Sequence, residues 1–171
     1  LNILDIVQNV NYILGDLDFT DEQIIQADFN QDGGVNILDI VQAVIPVLFV
    51  KFYFPEYLYI ASLCAFLGHV FPIWLKFKGG KGVATYIGIL FVINLYLGLI
   101  FIIAWFITFA ISKFSSLSSL IASMAIPVYL LILAQFNQVF FFTIMFVLIF
   151  FTHRENIKRL KNKEESKTKI Y

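Results

Sequence analysis

From Val44 to Thr152 the chain is a series of apolar runs separated by short polar or glycine-bearing breaks. The spacing predicts helices over Val44–Phe54, Tyr57–Leu75, Val83–Ile93, Leu97–Ser112, Leu117–Ala134 and Val139–Thr152. A full membrane span needs about 20 residues, with a lower limit near 17. Tyr57–Leu75 and Leu117–Ala134 meet it. Leu97–Ser112 and Val139–Thr152 reach it with flanking residues or local thinning of the bilayer. Val83–Ile93 is too short to cross comfortably. It reads either as a half-helix held against protein or as the first part of a longer helix running past Asn94. Val44–Phe54 is about half a span and begins where a polar, acidic stretch stops.

That acidic stretch opens with a repeat. Leu1–Val10 and Val35–Val44 agree at eight of ten positions, offset by 34 residues. Within the first copy and just after it, Ile3, Ile6, Val7, Val10, Ile13 and Leu14 recur at helical spacing. The second copy overlaps a loop with oxygen-bearing residues Asp28, Asn30, Asp32, Asn36 and Asp39 at positions 1, 3, 5, 9 and 12, and Gly33 at position 6. A glycine turn followed by converging oxygen ligands suits calcium, although Asp39 stands where a bidentate Glu is usual. The competing reading is an Asp/Asn-rich surface turn that holds no metal. The chain begins at Leu1, partway through the first loop, as a fragment would. The doublet resembles the dockerin family, and that resemblance implies a calcium-loaded docking segment over residues 1–43 with a protein partner.

Composition sharpens the division. The chain is 60% hydrophobic and 14% charged, far more apolar than a soluble domain. Its net charge of zero hides an acidic head, an apolar body and a basic tail. The one cysteine, Cys64, lies within an apolar run, so no intrachain disulfide forms. No signal peptide is visible. Lys76, Lys78 and Lys81 gather at one break, and His153, Arg154, Lys158, Arg159, Lys161, Lys163, Lys167 and Lys169 follow the last run. Basic excess marks the cytoplasmic face. Both clusters lie there only if an even number of crossings separates them, which requires Val83–Ile93 to cross. Trp74 and Trp105 fit interfacial anchors. The expected fold is mainly α: a polytopic α-helical membrane protein, residues 44–165, with a short EF-hand or dockerin-like helical segment before it and a polar tail, 166–171, after it.

Two motifs carry chemistry. Gly68-His69-Val70-Phe71-Pro72 runs into Lys78-Gly79-Gly80-Lys81-Gly82-Val83-Ala84-Thr85, which packs three glycines and two lysines into positions 78–82. Glycines let backbone N–H groups approach phosphate oxygens, and lysines add compact positive charge. The spacing is not that of a nucleotide P-loop. The bland alternative is a basic turn that fixes topology. The second motif is His153-Arg154-Glu155-Asn156-Ile157-Lys158-Arg159-Leu160. On one helix, His153, Asn156, Ile157 and Leu160 share a face, so His153 and Asn156 can address a common ligand. Arg154 and Lys158 share another. Here the alternative is a juxtamembrane helix drawn to anionic lipid.

Together, GHVFPIWLKFKGGKGVAT at 68–85 and HRENIKRL at 153–160 resemble the bacterial acyl-phosphate-dependent glycerol-3-phosphate acyltransferases, over roughly residues 44–165. The resemblance implies a multi-pass enzyme of the bacterial plasma membrane with a cytoplasmic C-terminus. Its substrates would be acyl phosphate and glycerol 3-phosphate, its product lysophosphatidic acid for phospholipid synthesis. It would use no catalytic cofactor and no nucleic acid. It implies that Gly79, Gly80, Lys81 and Gly82 hold glycerol 3-phosphate, aided by Lys78, Thr85 and Arg154. His153 and Asn156 become the active-site pair, with His69 behind them and Glu155 fixing Arg154 or Lys158. The family's Gly/Ser/Asn-rich loop with its following Arg, which precedes the stretch matched by Ile45-Pro46-Val47 and holds acyl phosphate, has no counterpart in residues 1–43. The chain therefore reads as composite, with impaired turnover expected. The alternatives are a noncatalytic membrane-anchored calcium-binding module and, behind it, a transporter for a phosphorylated solute.

Overall fold

The structure is a computed structural model that describes residues 37–71 and 80–165, residues 37–43 by backbone path alone. Among these residues the secondary structure is helical: α1 (Ile37–Tyr53), a 3₁₀ turn (Pro55–Tyr57), α2 (Leu58–Val70), α3 (Val83–Ile93), α4 (Leu95–Ser112), α5 (Ser115–Ile132), α6 (Phe136–Thr152) and α7 (Arg154–Lys161).

Local chemistry sets most of the boundaries. Gly82 takes a left-handed conformation, φ 82°, immediately before α3, a geometry that costs an L side chain about 1–2 kcal/mol. A Cβ there would also lie 2.6 Å from the Phe66 ring and 3.0 Å from Val70 Cγ2, so α2 and the start of α3 meet closely. Asn94 ends α3 with extended backbone and caps α4, its Oδ1 accepting from Tyr96 N at 2.8 Å. This settles the choice left open at Val83–Ile93: the segment is a separate 11-residue helix, about 16 Å long at 1.5 Å per residue. α2 stops at Val70, short of the expected Leu75, because Phe71 precedes Pro72 and is steered out of helical backbone. α1 starts at Ile37, not Val44, and runs through Pro46, where the missing N–H forfeits one helical bond.

α3 is the axis of the bundle. Thr85, Tyr86, Gly88, Ile89, Leu90 and Val92 are buried, as expected of a helix apolar on all sides. Tyr86 meets Phe101 of α4 and Phe142 of α6 edge-on, with ring centroids 5.8 and 6.0 Å apart, and its hydroxyl donates to Ser123 O of α5 at 3.4 Å. α5 turns Ser116, Ser118, Ser119, Ala122 and Ser123 inward. Small residues let membrane helices approach closely. Trp105 makes contacts within the bundle. Its indole stacks on Phe109 and donates to Ser119 Oγ at 3.1 Å, tying α4 to α5. Trp74 lies outside the described residues.

Successive helices alternate in direction. One end of the bundle collects residues 80–82, 113–116 and 152–165. At the other, Lys51 Nζ donates to Val92 O at 2.5 Å, next to the α1–α2 turn and Asn94. By length and composition α4 and α5 can each cross a membrane, and α6 with α7 makes a third such unit, bent by 61°. Many large apolar side chains face outward, among them Phe106, Ile111, Ile132, Phe140 and Phe151. A bundle with this apolar exterior is a multi-pass membrane protein.

Of the five expected calcium ligands, Asp28, Asn30, Asp32 and Asn36 lie outside the described residues, and Asp39 is described only as part of the α1 backbone. Among the described residues no cluster of three or more His, Cys, Asp or Glu side chains is present.

Candidate active site

The glycine–lysine loop and the His-Arg-Glu-Asn motif meet at one end of the bundle. The Thr152 hydroxyl lies 3.0 Å from Lys81 O and 2.8 Å from Ile149 O, so one proton is shared between the loop and the end of α6. Residues 71 positions apart in the chain are thereby latched together. Gly82 is packed beneath the loop against Phe66 and Val70. Gly80 and Lys81 are half-buried; Lys78 and Gly79 fall outside the described residues.

His153 sits at the bend between α6 and α7 and is 2% exposed. The expected single helical face is therefore split between two helices, yet His153 and Asn156 are both buried at this end. His153 Nδ1 lies 2.8 Å from Ile149 O. A carbonyl only accepts, so Nδ1 carries the proton and Nε2 keeps its lone pair in the neutral ring. Burial is the main influence on its pKa and pushes it below the usual histidine value. The Ile149 carbonyl opposes that shift, Lys81 adds to it, and Glu165 opposes it.

Asn156, 6% exposed, donates from Nδ2 to Glu165 Oε1 at 2.9 Å. The same oxygen accepts from Ser116 Oγ at 2.7 Å, and Glu165 Oε2 accepts from Arg159 Nε at 2.7 Å. One carboxylate thus joins the start of α5, the buried face of α7 and the segment that follows. Desolvation pulls its pKa upward, but the three donors prevail and hold it below the ordinary carboxylate range. Sequence reasoning passed over Glu165 because it sits in a charged run that reads as a solvated tail. The only available signal was its acidity amid lysines.

Two expectations are redistributed. Arg154 does not turn inward with His153 and Asn156: its guanidinium stands 4.9 Å over the Phe151 ring on the outer surface. Glu155 approaches it only to 3.9 Å, with both side chains more than half exposed. Thr85 is fully buried in the first turn of α3, and its Oγ1 has no hydrogen-bond partner. Among the described residues it is the one buried side-chain polar atom left unpaired, and it lies one turn from the glycine loop. Such a group costs about 1–3 kcal/mol unless something satisfies it. His69 is half-buried on the last turn of α2, beside Val70, which abuts Gly82.

The site therefore combines a glycine loop at a helix start, an orphaned hydroxyl, a neutral buried imidazole with a free Nε2 and a fixed amide. Backbone donors at a helix N-terminus favour an anion, and the imidazole can accept a proton or hydrogen bond beside it.

Comparison with known proteins identifies the family. The family profile "Glycerol-3-phosphate acyltransferase" matches residues 33–163. The match takes in the second copy of the repeat, and nothing in the comparisons supports a calcium-docking segment. A glycerol-3-phosphate acyltransferase of Pelagibacter ubique is 70% identical over 135 residues, covering 79% of this chain and 70% of the relative. One of Rhodopseudomonas palustris is 48% identical over 108 residues, 63% of this chain and 53% of the relative. This chain thus spans about half to 70% of these relatives. The crystal structure of PlsY (YgiH), an integral membrane glycerol 3-phosphate acyltransferase, in its glycerol 3-phosphate form is similar with a TM-score of 0.75 and 27% identity, over 96% of this chain and 90% of that one. Its lysophosphatidic acid form gives a TM-score of 0.72 at 28% identity, over 95% and 78%. The chain belongs to the glycerol-3-phosphate acyltransferase family.

Proposed function

We propose that this protein transfers an acyl group from acyl phosphate to glycerol 3-phosphate at the cytoplasmic face of a bacterial inner membrane. The Thr152–Lys81 hydrogen bond carries the reading, because it sets a glycine–lysine anion loop beside a buried neutral histidine. The relatives' printed activity and the glycerol 3-phosphate form of PlsY support the acceptor. The lysines at this end support the cytoplasmic side.

In the proposed reaction the Gly79–Gly82 amides and the Lys78 and Lys81 cations hold the phosphate, and Thr85 Oγ1 is placed to join them. His153 Nε2 accepts a hydrogen bond from a glycerol hydroxyl and aligns its oxygen with the acyl carbonyl carbon; Asn156 fixes the approach. The hydroxyl oxygen forms the new ester bond, the acyl carbon–phosphate oxygen bond breaks, and inorganic phosphate leaves with its electron pair. The hydroxyl proton passes towards Nε2. Acyl phosphate is already activated, so positioning and charge stabilisation supply the acceleration.

Purified chain in phospholipid vesicles, given palmitoyl phosphate and glycerol 3-phosphate, is expected to bind glycerol 3-phosphate and to form lysophosphatidate at an impaired rate. His153→Ala should lower kcat by about 10²-fold or more, the scale of a positioned acid–base group. Slow turnover with glycerol 3-phosphate binding intact places the shortfall on the donor side. Absence of glycerol 3-phosphate binding refutes the reading.

A further inference from the structure

α7 carries two faces with different duties. Asn156 is buried and donates to Glu165, which also accepts from Ser116, and Ile157 and Leu160 are half-buried beside it. On the other side Arg154, Lys158 and Lys161 fall at i, i+4 and i+7, and all are exposed. Arg159 is not part of this stripe: its charge is taken up by Glu165 at 2.7 Å.

The position of α7 decides what the stripe can meet. α6 is an apolar helix, and α7 turns away from it by 61° at His153. If α6 runs near the bilayer normal, α7 lies close to the plane of the interface. Arg154 marks that boundary, since its guanidinium rests 4.9 Å above Phe151, an exposed ring on the last turn of α6 next to exposed Phe150. A cation stacked on a lipid-facing aromatic at the rim of a span sits at headgroup height.

We infer that the Arg154–Lys158–Lys161 stripe is a docking surface for anionic phospholipid headgroups. Headgroups bound there hold α7 in the interface, on the same short helix that carries Asn156 on its inner side. The inference concerns lipid selectivity and stands apart from the catalytic reading; the test reads no turnover.

The full chain is reconstituted in phosphatidylcholine, and spin-labelled phosphatidylglycerol is compared with spin-labelled phosphatidylcholine for immobilisation at the protein surface. Phosphatidylglycerol is expected to be favoured about two-fold or more, with the preference fading as salt rises towards about 1 M. Arg154→Gln/Lys158→Gln/Lys161→Gln should bring it to parity. Lys113→Gln, which removes a cation at the same end of the bundle but off the stripe, should keep it. Equal immobilisation of both lipids by the unmodified chain, insensitivity to salt, retention of the preference by the triple variant, or its loss in Lys113→Gln would each overturn the assignment.

Discussion

At the scale of single residues, His153 has the most constrained chemistry. Its burial and its Nδ1 bond to Ile149 O fix both protonation state and tautomer. The lowered pKa sets the sign of the pH response. Neutral imidazole is the form the fold prefers, so its stabilising contribution is present above the ordinary value of about 6.5 and is lost as pH falls through the lowered folded value. The acid limb of kcat/KM is accordingly expected below about 6.5; a limb at or above that value in a pH–rate profile of the unmodified chain contradicts the buried neutral ring. The sequence singled out His153, Asn156 and the glycines by resemblance, and the structure brings His153, Asn156, Gly80 and Gly82 to one end of the bundle. Spacing put Arg154 with Lys158 on a face apart from His153 and Asn156, as the structure has it; the inward, substrate-holding role came from the resemblance alone. Glu165 was missed because its partners come from three places in the chain: Ser116, Asn156 and Arg159.

At the scale of elements, Val83–Ile93 was readable to the residue because Gly82 and Asn94 are strong local punctuation. The start of α6 was not: Asn137 and Gln138 look like loop, yet they sit in the first turn of a helix from Phe136, where polar side chains can face outward. The kink at His153 left no mark in composition either. Glu165 is what holds the kinked element in place. Glu165→Ala removes acceptors for three donors and is expected to cost about 2–3 kcal/mol, since bonds to a charged group contribute about 1.5–3 kcal/mol and these share one carboxylate. Glu165→Gln keeps one acceptor oxygen and should lose less. Thermal unfolding in detergent compares them; equal midpoints for Glu165→Ala and the unmodified chain would show that the carboxylate does not fasten α7.

At the scale of the whole molecule, contacts bring Lys81 to the same end of the bundle as α7. Thr152 reaches Lys81 and Ser116 reaches Glu165, so the glycine loop, the α4–α5 turn and α7 share one end, while Lys51 and Val92 mark the other. α3 therefore leads from the end that holds Lys81 towards the end that holds Lys51. In a Cys64→Ser background, cysteines placed at Lys113 and Lys158 are expected to react with a membrane-impermeant maleimide from one side and a cysteine at Gln135 from the other. Labelling of 113 and 158 from opposite sides contradicts the bundle.

The shortness of α3 has a physical cost and a use. About 16 Å of helix is short of about 30 Å of hydrocarbon, and because its neighbours enclose it, α3 can end inside the bundle without stranding its termini in lipid. In the proposed reaction a water-soluble phosphate ester would then meet the loop within the bundle rather than at its outermost rim. The acyl chain of the proposed donor would then stay dissolved in the bilayer while its reactive end is reached sideways, sparing the work of lifting a fatty tail into water.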